Sequence, residues 1–219
     1  LIRRRLFLSM SVAGAGLALG GCKIVATPKK SAGNEDGGDN SGFDPGKMVR
    51  DIWDAKVIPY LASRAGKFSE VNDLARANPD EAGKKYGFRQ REGSEPWTLI
   101  VKIEGRIVAA ETASRAATIS VDNAGDGKVA AIVQIGPAMR GTALRDALDF
   151  VSFNDFKNQI DYAQFGKAFN QYANQTFLAA LPRDKLVGRA VTILGAYTLE
   201  ASDGPPLVTP AQLTLGPAS

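Results

Sequence analysis

The chain has 219 residues with a formal net charge of +4, one cysteine and no histidine. That composition excludes an internal disulfide, zinc sites built from Cys and His, Ser-His-Asp relays and Cys-His pairs, because the imidazole they need is missing. The excess positive charge lies in Arg3, Arg4 and Arg5; taking these three from the 27 basic residues leaves 24 against 23 acidic, so the remainder has no electrostatic footprint for nucleic acid.

The chain opens with that arginine run and continues into an uncharged apolar stretch, Leu6 to Gly20. The stretch is shorter than the roughly 20 apolar residues a spanning helix needs, and it has the shape of a secretory signal. Leu19-Gly20-Gly21-Cys22 resembles the lipobox of bacterial lipoproteins, in which small residues admit the peptidase before the cysteine to be acylated. Residues 1–21 are therefore expected to be a cleavable signal, and Cys22 the lipidated N-terminus. Arg4-Arg5-Leu6-Phe7-Leu8 also resembles a twin-arginine signal, but arginine runs begin ordinary secretory signals too, so both export routes stay open. Lys23, rather than an aspartate, follows the cysteine and favours the outer over the inner membrane, on the periplasmic face.

Residues 22–42 are dominated by Gly, Ser, Asn, Asp and Lys without an apolar period, as in a flexible tether with a span of roughly 25 Å. A single domain is expected over 43–219, helical in 43–95. Asp44 is placed to cap a helix with Pro45 in its first turn, Met48, Ile52, Trp53, Val57 and Leu61 recur at helical spacing, and Pro59 should kink or interrupt this helix. A second helix is expected over Ser69–Ala77, and Asn78-Pro79-Asp80-Glu81 begins a third that ends near Gly87.

From residue 96 the pattern turns to strands: Trp97–Glu104, a turn at Gly105, Ile107–Val121 with a break, a loop over Asp122–Gly127, and Val129–Ile135 ended by Gly136-Pro137. The loop alternates acidic residues before glycine but lacks the closing acidic ligand of a calcium loop, so it reads as a hairpin turn. A helical region follows, with Ser152 and Asp155 as a capping box and Phe156, Ile160, Ala163, Phe169, Tyr172 and Ala173 on one broad face. Leu186–Leu199 and Leu207–Leu215 are the last strands. The order β-β-β-α-β-β over 96–219 predicts an α+β protein with an OB-like five-stranded β-barrel, the N-terminal helical segment packing on it. An open α+β sheet fits the same order.

Arg140, Thr142, Arg145, Asp146, Asn154, Asn158 and Gln159 form the densest polar cluster. Guanidinium forks and amides supply directed hydrogen bonds to sugar hydroxyls or carboxylates, which makes these the candidate ligand residues. The alternative is structural: Thr142 caps a helix while Arg145 and Asp146 pair internally. No metal motif and no catalytic residue stand out, although Asp146, Asp149, Asp155 and Asp161 offer the carboxylate pairs that glycan hydrolysis would require.

Gln134-Ile135-Gly136-Pro137, Arg140–Leu148, Phe153–Ala163, and Leu186-Val187-Gly188 through Val208-Thr209-Pro210 resemble an uncharacterised family of predicted periplasmic lipoproteins, domain of unknown function 2291. Phe43-Asp44-Pro45, Trp53 and Glu92-Gly93-Ser94-Glu95-Pro96-Trp97 follow the same pattern. The resemblance implies a non-catalytic binding or accessory role linked to sugar ABC-type uptake, with carbohydrate or transporter components as partners beside the membrane. No cofactor is implied beyond the covalent lipid on Cys22. A cell-envelope glycan hydrolase and a structural envelope protein that binds another protein are the alternatives.

Overall fold

In a computed structural model, residues 42–91, 95–202 and 204–217 are described. The expected signal, Cys22 and all of the tether but Gly42 lie outside them. The N-terminal helices form where the caps predict. Asp44 accepts the Lys47 N–H at 2.8 Å, and Pro45 opens α1 (Pro45–Ile52). A π-helical turn, Trp53–Val57, continues into α2 (Ile58–Arg64).

The buried face of this helix is Val49, Trp53, Val57 and Leu61. A four-residue step overshoots an α-helical turn by roughly 40°, and the wider π turn takes up that drift. Met48, placed on the core face by its spacing, is 38 % exposed because the four-step row displaces it. Pro59 does not stop the helix: it falls in the first turn of α2, directly after the π turn. α3 (Phe68–Ala77) and α4 (Pro79–Tyr86) follow, the latter capped by Asn78.

Five strands close into a barrel: β1 (Thr98–Glu111), β2 (Thr118–Asp122), β3 (Ala131–Gln134), β4 (Ala190–Thr198) and β5 (Leu207–Leu215). Their order is β1-β2-β3-β5-β4 and back to β1, all antiparallel except β3 with β5. This is the closed OB arrangement, not an open sheet. Two short strands, Gly66–Lys67 and Gly87–Phe88, add to the free edge of β1 and attach the helical part to it.

Gly105 is not a turn. β1 runs through it unbroken, because a Cβ there would overlap the Asp122 carbonyl oxygen where the end of β2 crosses. Asn123 Nδ2 ties the crossing by donating to the Glu104 carbonyl at 2.6 Å. The chain breaks only at 112–117, and a bulge between Ile107 and Ala109 helps β1 bend. The Asp122–Gly127 loop is a side-chain-stabilised turn: the Asp122 carboxylate accepts from the backbone N–H groups of Ala124, Gly125 and Gly127. Those bonds, led by the one from Gly127, hold the Asp122 carboxyl below the usual range.

Between β3 and β4 lie α5 (Ala143–Asp146), a 3-10 turn (Phe153–Asp155) that carries the Ser152/Asp155 capping box, and α6 (Gln159–Ala173) extended by a π turn to Leu178. α6 buries Phe165, Ala168, Phe169 and Ala173, whereas Ile160 is 68 % exposed and Ala163 also faces solvent. The predicted face is rotated because Gly166 and Asn170 turn inward to accommodate α5 and its connection. Trp53 packs at a tilt against the Phe169 and Tyr172 rings, joining the N-terminal helix to α6.

Gly105→Ala should destabilise the protein by about 2 kcal/mol through overpacking at the crossing, measured as a lower midpoint in urea. A chain shortened to Phe43–Ser219 should melt in one cooperative transition by circular dichroism. The sign of the Asp122 contribution is set by its lowered pKa. The stability it adds is present above the unfolded carboxylate pKa, near 3.9, and is lost as pH falls through the folded value. Asp122→Ala should therefore flatten the acid limb of a pH melt series.

Candidate functional site

The seven polar residues of the predicted cluster separate into three places. Arg145 is nearly buried beneath α6. Its Nε and Nη2 donate to Asp146 Oδ1 at 2.8 and 2.6 Å, Nη1 donates to the Tyr162 carbonyl at 2.9 Å, and the guanidinium lies 3.7 Å over the Tyr162 ring. Thr142 donates its hydroxyl to Asp146 Oδ2 at 2.6 Å and accepts from Arg145; it does not cap the backbone of α5. Gly166 leaves the space these groups occupy, since a Cβ there would meet Thr142 Cγ2 at 2.6 Å and Arg145 Nη1 at 2.8 Å.

Asn158 is the N-cap of α6, accepting from Ile160 and Asp161, while Asn154 and Gln159 stand exposed on the same connection. Arg140 lies elsewhere, on the wall of a groove of about 990 Å³ at the end of the barrel. Among the carboxylates considered for hydrolysis, Asp146 is paired with Arg145, Asp155 accepts from the Ser152 N–H, and Asp161 faces the Asn158 amide.

Three parts of the chain build the groove: the end of α3 with the start of α4, the segment leading into β1, and the β4–β5 connection facing the exit of β3. Gln134, the last residue of β3, braces one wall. Its Oε1 accepts the Arg140 N–H at 2.6 Å, and its Nε2 donates to the Arg140 carbonyl at 3.1 Å and to Thr209 Oγ1 at 2.9 Å. The opposite wall is Trp97, held by three contacts. Its Nε1 donates to Asp80 Oδ1 at 2.8 Å, the Arg89 guanidinium covers one face at 4.1 Å, and α4 passes so close at Gly83 that no Cβ fits. Trp97 is thus a wall, not a free stacking platform. The hydrogen bond from Trp97, aided by Arg89, holds the Asp80 carboxyl below its usual range.

Tyr197 underlies the groove. The residue is 2 % exposed, and its hydroxyl has no hydrogen-bond partner among the described residues. Burial pushes the phenol up to about 12, only partly offset by the nearby Arg76 charge, so it stays protonated at neutral pH. Spacing did not mark Tyr197, Thr209, Arg76 or Arg89 in the sequence. Gln134, a lone polar residue in the apolar run Ala131–Ile135, did carry a readable signal.

A family model described as predicted periplasmic lipoprotein (DUF2291) matches residues 12–214. No curated protein matches the chain. Among solved structures, an OB-fold protein from Thermotoga maritima is 20% identical, covers 80% of this chain and 99% of its own, and superposes with a TM-score of 0.63. That likeness shows the fold alone. An OBody bound to hen egg-white lysozyme is 14% identical over 53% of this chain and 92% of its own, with a TM-score of 0.27.

Arg145→Ala should cost about 3 kcal/mol, the low end for breaking a buried ion pair, because Asp146 keeps some solvent contact. Arg140→Ala should leave the unfolding midpoint nearly unchanged. Tyr197→Phe removes a buried hydroxyl that lacks a partner and should raise stability by about 1 kcal/mol. All three are read by urea denaturation at neutral pH.

Proposed function

Because the chain belongs to the family of predicted periplasmic lipoproteins, we propose that it is a non-catalytic binding module held at the membrane by a lipid on Cys22. Its ligand is a polar, carbohydrate-type solute taken up in the groove at the end of the barrel. The observation that carries this reading is the groove itself. Its floor and walls supply hydroxyl, amide and guanidinium groups, and the exposed carboxylates of Glu95 and Glu200 stand at its edge to accept from ligand hydroxyls. Ligand sites of OB folds commonly use the β4–β5 connection, which borders this groove.

A role beside a sugar ABC-type transporter extends the proposal and rests on the family resemblance. Within the cluster first singled out, Arg140 is the ligand-facing member of this proposal. Thr142, Arg145 and Asp146 form the brace behind the groove, and Asn154, Asn158 and Gln159 lie on the connection into α6. In this proposal Lys23, in place of an aspartate after the cysteine, favours the outer membrane as the location.

Replacing Cys22 by Ser should move the protein from the membrane pellet to the soluble fraction and abolish palmitate labelling. Retention of the Cys22→Ser protein in the pellet would sink the lipid-anchor reading. A thermal-shift screen against sugars tests the ligand: at a hundred times its Kd, a bound solute adds ~2.7 kcal/mol. Arg140→Ala should remove that shift while leaving the unliganded melt in place.

A further inference from the structure

α1 and α6 begin at the same end of the domain. Phe43, just ahead of α1, packs edge-on against Phe156, just ahead of α6, with ring centroids 6.1 Å apart. Further along both helices Trp53 meets Phe169 and Tyr172, so the two run side by side in the same direction. The 3-10 turn that leads into α6 lies at this end too, since Phe153 meets the Tyr162 ring edge-on at 5.5 Å and Phe156 meets it at 5.3 Å.

This end carries apolar side chains that the core does not use. Met48 in the first turn of α1, Phe153 in the 3-10 turn and Ile160 in the first turn of α6 are 38 %, 39 % and 68 % exposed. Single exposed apolar residues are ordinary on a protein surface, whereas several gathered at one end mark a contact. The charges beside them are mixed: Asp44, Asp155 and Asp161 against Lys47 and Lys157. Asp155 and Asp161 are already engaged by the Ser152 N–H and the Asn158 amide. Such a rim has no net attraction for anionic headgroups, and what it offers a partner is apolar.

The chain also enters the domain here. Residues 23–42 separate Cys22 from Phe43. The span expected of them, roughly 25 Å, is less than the roughly 40 Å width of a domain of this size. An acyl group on Cys22 therefore draws the Phe43 end toward the bilayer and leaves the opposite end away from it.

We infer that this end of the domain is a second membrane contact, in which Met48, Phe153 and Ile160 enter the headgroup region of the bilayer that holds the lipid on Cys22. This rests on the lipid-anchor reading above and adds which side of the domain meets the membrane. Three side chains are too few to retain the protein alone. Tethering makes their insertion an intramolecular step, so a weak contact suffices to orient the domain.

The test uses the lipidated mature chain in phosphatidylcholine vesicles. Acylation blocks its single cysteine, so an introduced thiol takes an environment-sensitive fluorophore selectively. Ile160→Cys reports this end; Val187→Cys, at a residue 58 % exposed beyond the far end of α6, is the reference. Doxyl-labelled lipid should quench the fluorophore at Ile160→Cys at least threefold more than at Val187→Cys. Adding Met48→Gln, an exposed helix position whose fold a circular dichroism melt checks, should lower the quenching at Ile160→Cys at least twofold. Equal quenching at the two sites, in protein that floats with the vesicles, would overturn the membrane-contact inference and leave the lipid anchor standing. A change at Ile160→Cys that grows with the protein-to-lipid ratio and resists doxyl lipid would identify a second copy of the chain as the occupant and overturn it too. Failure of the palmitate-labelled chain to float would overturn both readings.

Discussion

Closure of the barrel depends on one strand used along both edges. β1 pairs with β4 from Thr98 to Arg106 and with β2 from Arg106 to Glu111, so the same backbone must turn from one neighbour to the other without interruption. That demands a bend. It is supplied by the bulge after Ile107 and by the bare backbone at Gly105, against which the end of β2 lies. The Asn123 amide and the Asp122 turn then fix the hairpin at the crossing. The short strands at Gly66–Lys67 and Gly87–Phe88 occupy the edge that β2 leaves uncovered, so the helical part is attached to the same strand that closes the barrel.

The long excursion from β3 to β4 is held by buried polar groups whose bonds are largely internal. Gln134 clamps the backbone at Arg140, and Arg145 ties α5 to the backbone of α6 through the Tyr162 carbonyl. Such groups are costly to bury and specific once satisfied, which is why they set the register of the connection more sharply than apolar packing would. The groove lies beside this brace, with the Gln134 clamp forming part of its wall.

Features that depend on a few adjacent residues were legible in the sequence. Asp44, Asn78 and Asn158 cap their helices because a short polar side chain reaches the first free N–H groups wherever the fold later puts them. The Ser152/Asp155 box and the Asp122 turn are local for the same reason. The strand and helix order sufficed for the OB-type barrel, since few topologies close five strands with a helical connection after the third. Faces were less legible. Met48 and Ile160 fit a helical period but lie outward, because the period does not say which neighbour arrives on which side.

Gly105 shows the limit most plainly. In sequence a glycine between two β-like runs is a turn; in the barrel it is the point where a second strand touches, and nothing within a few residues distinguishes the two. The export signal, the cysteine suited to lipid attachment, the caps and the order of elements were determined by sequence alone, because each is a short-range pattern. Only tertiary structure decided that Arg145 is spent on Asp146 while Arg140 faces a groove. Only it decided that Tyr197 is buried with its hydroxyl unpartnered among the described residues. Hydrogen-bond satisfaction is a property of the assembled neighbourhood, and residues far apart in the chain supply it.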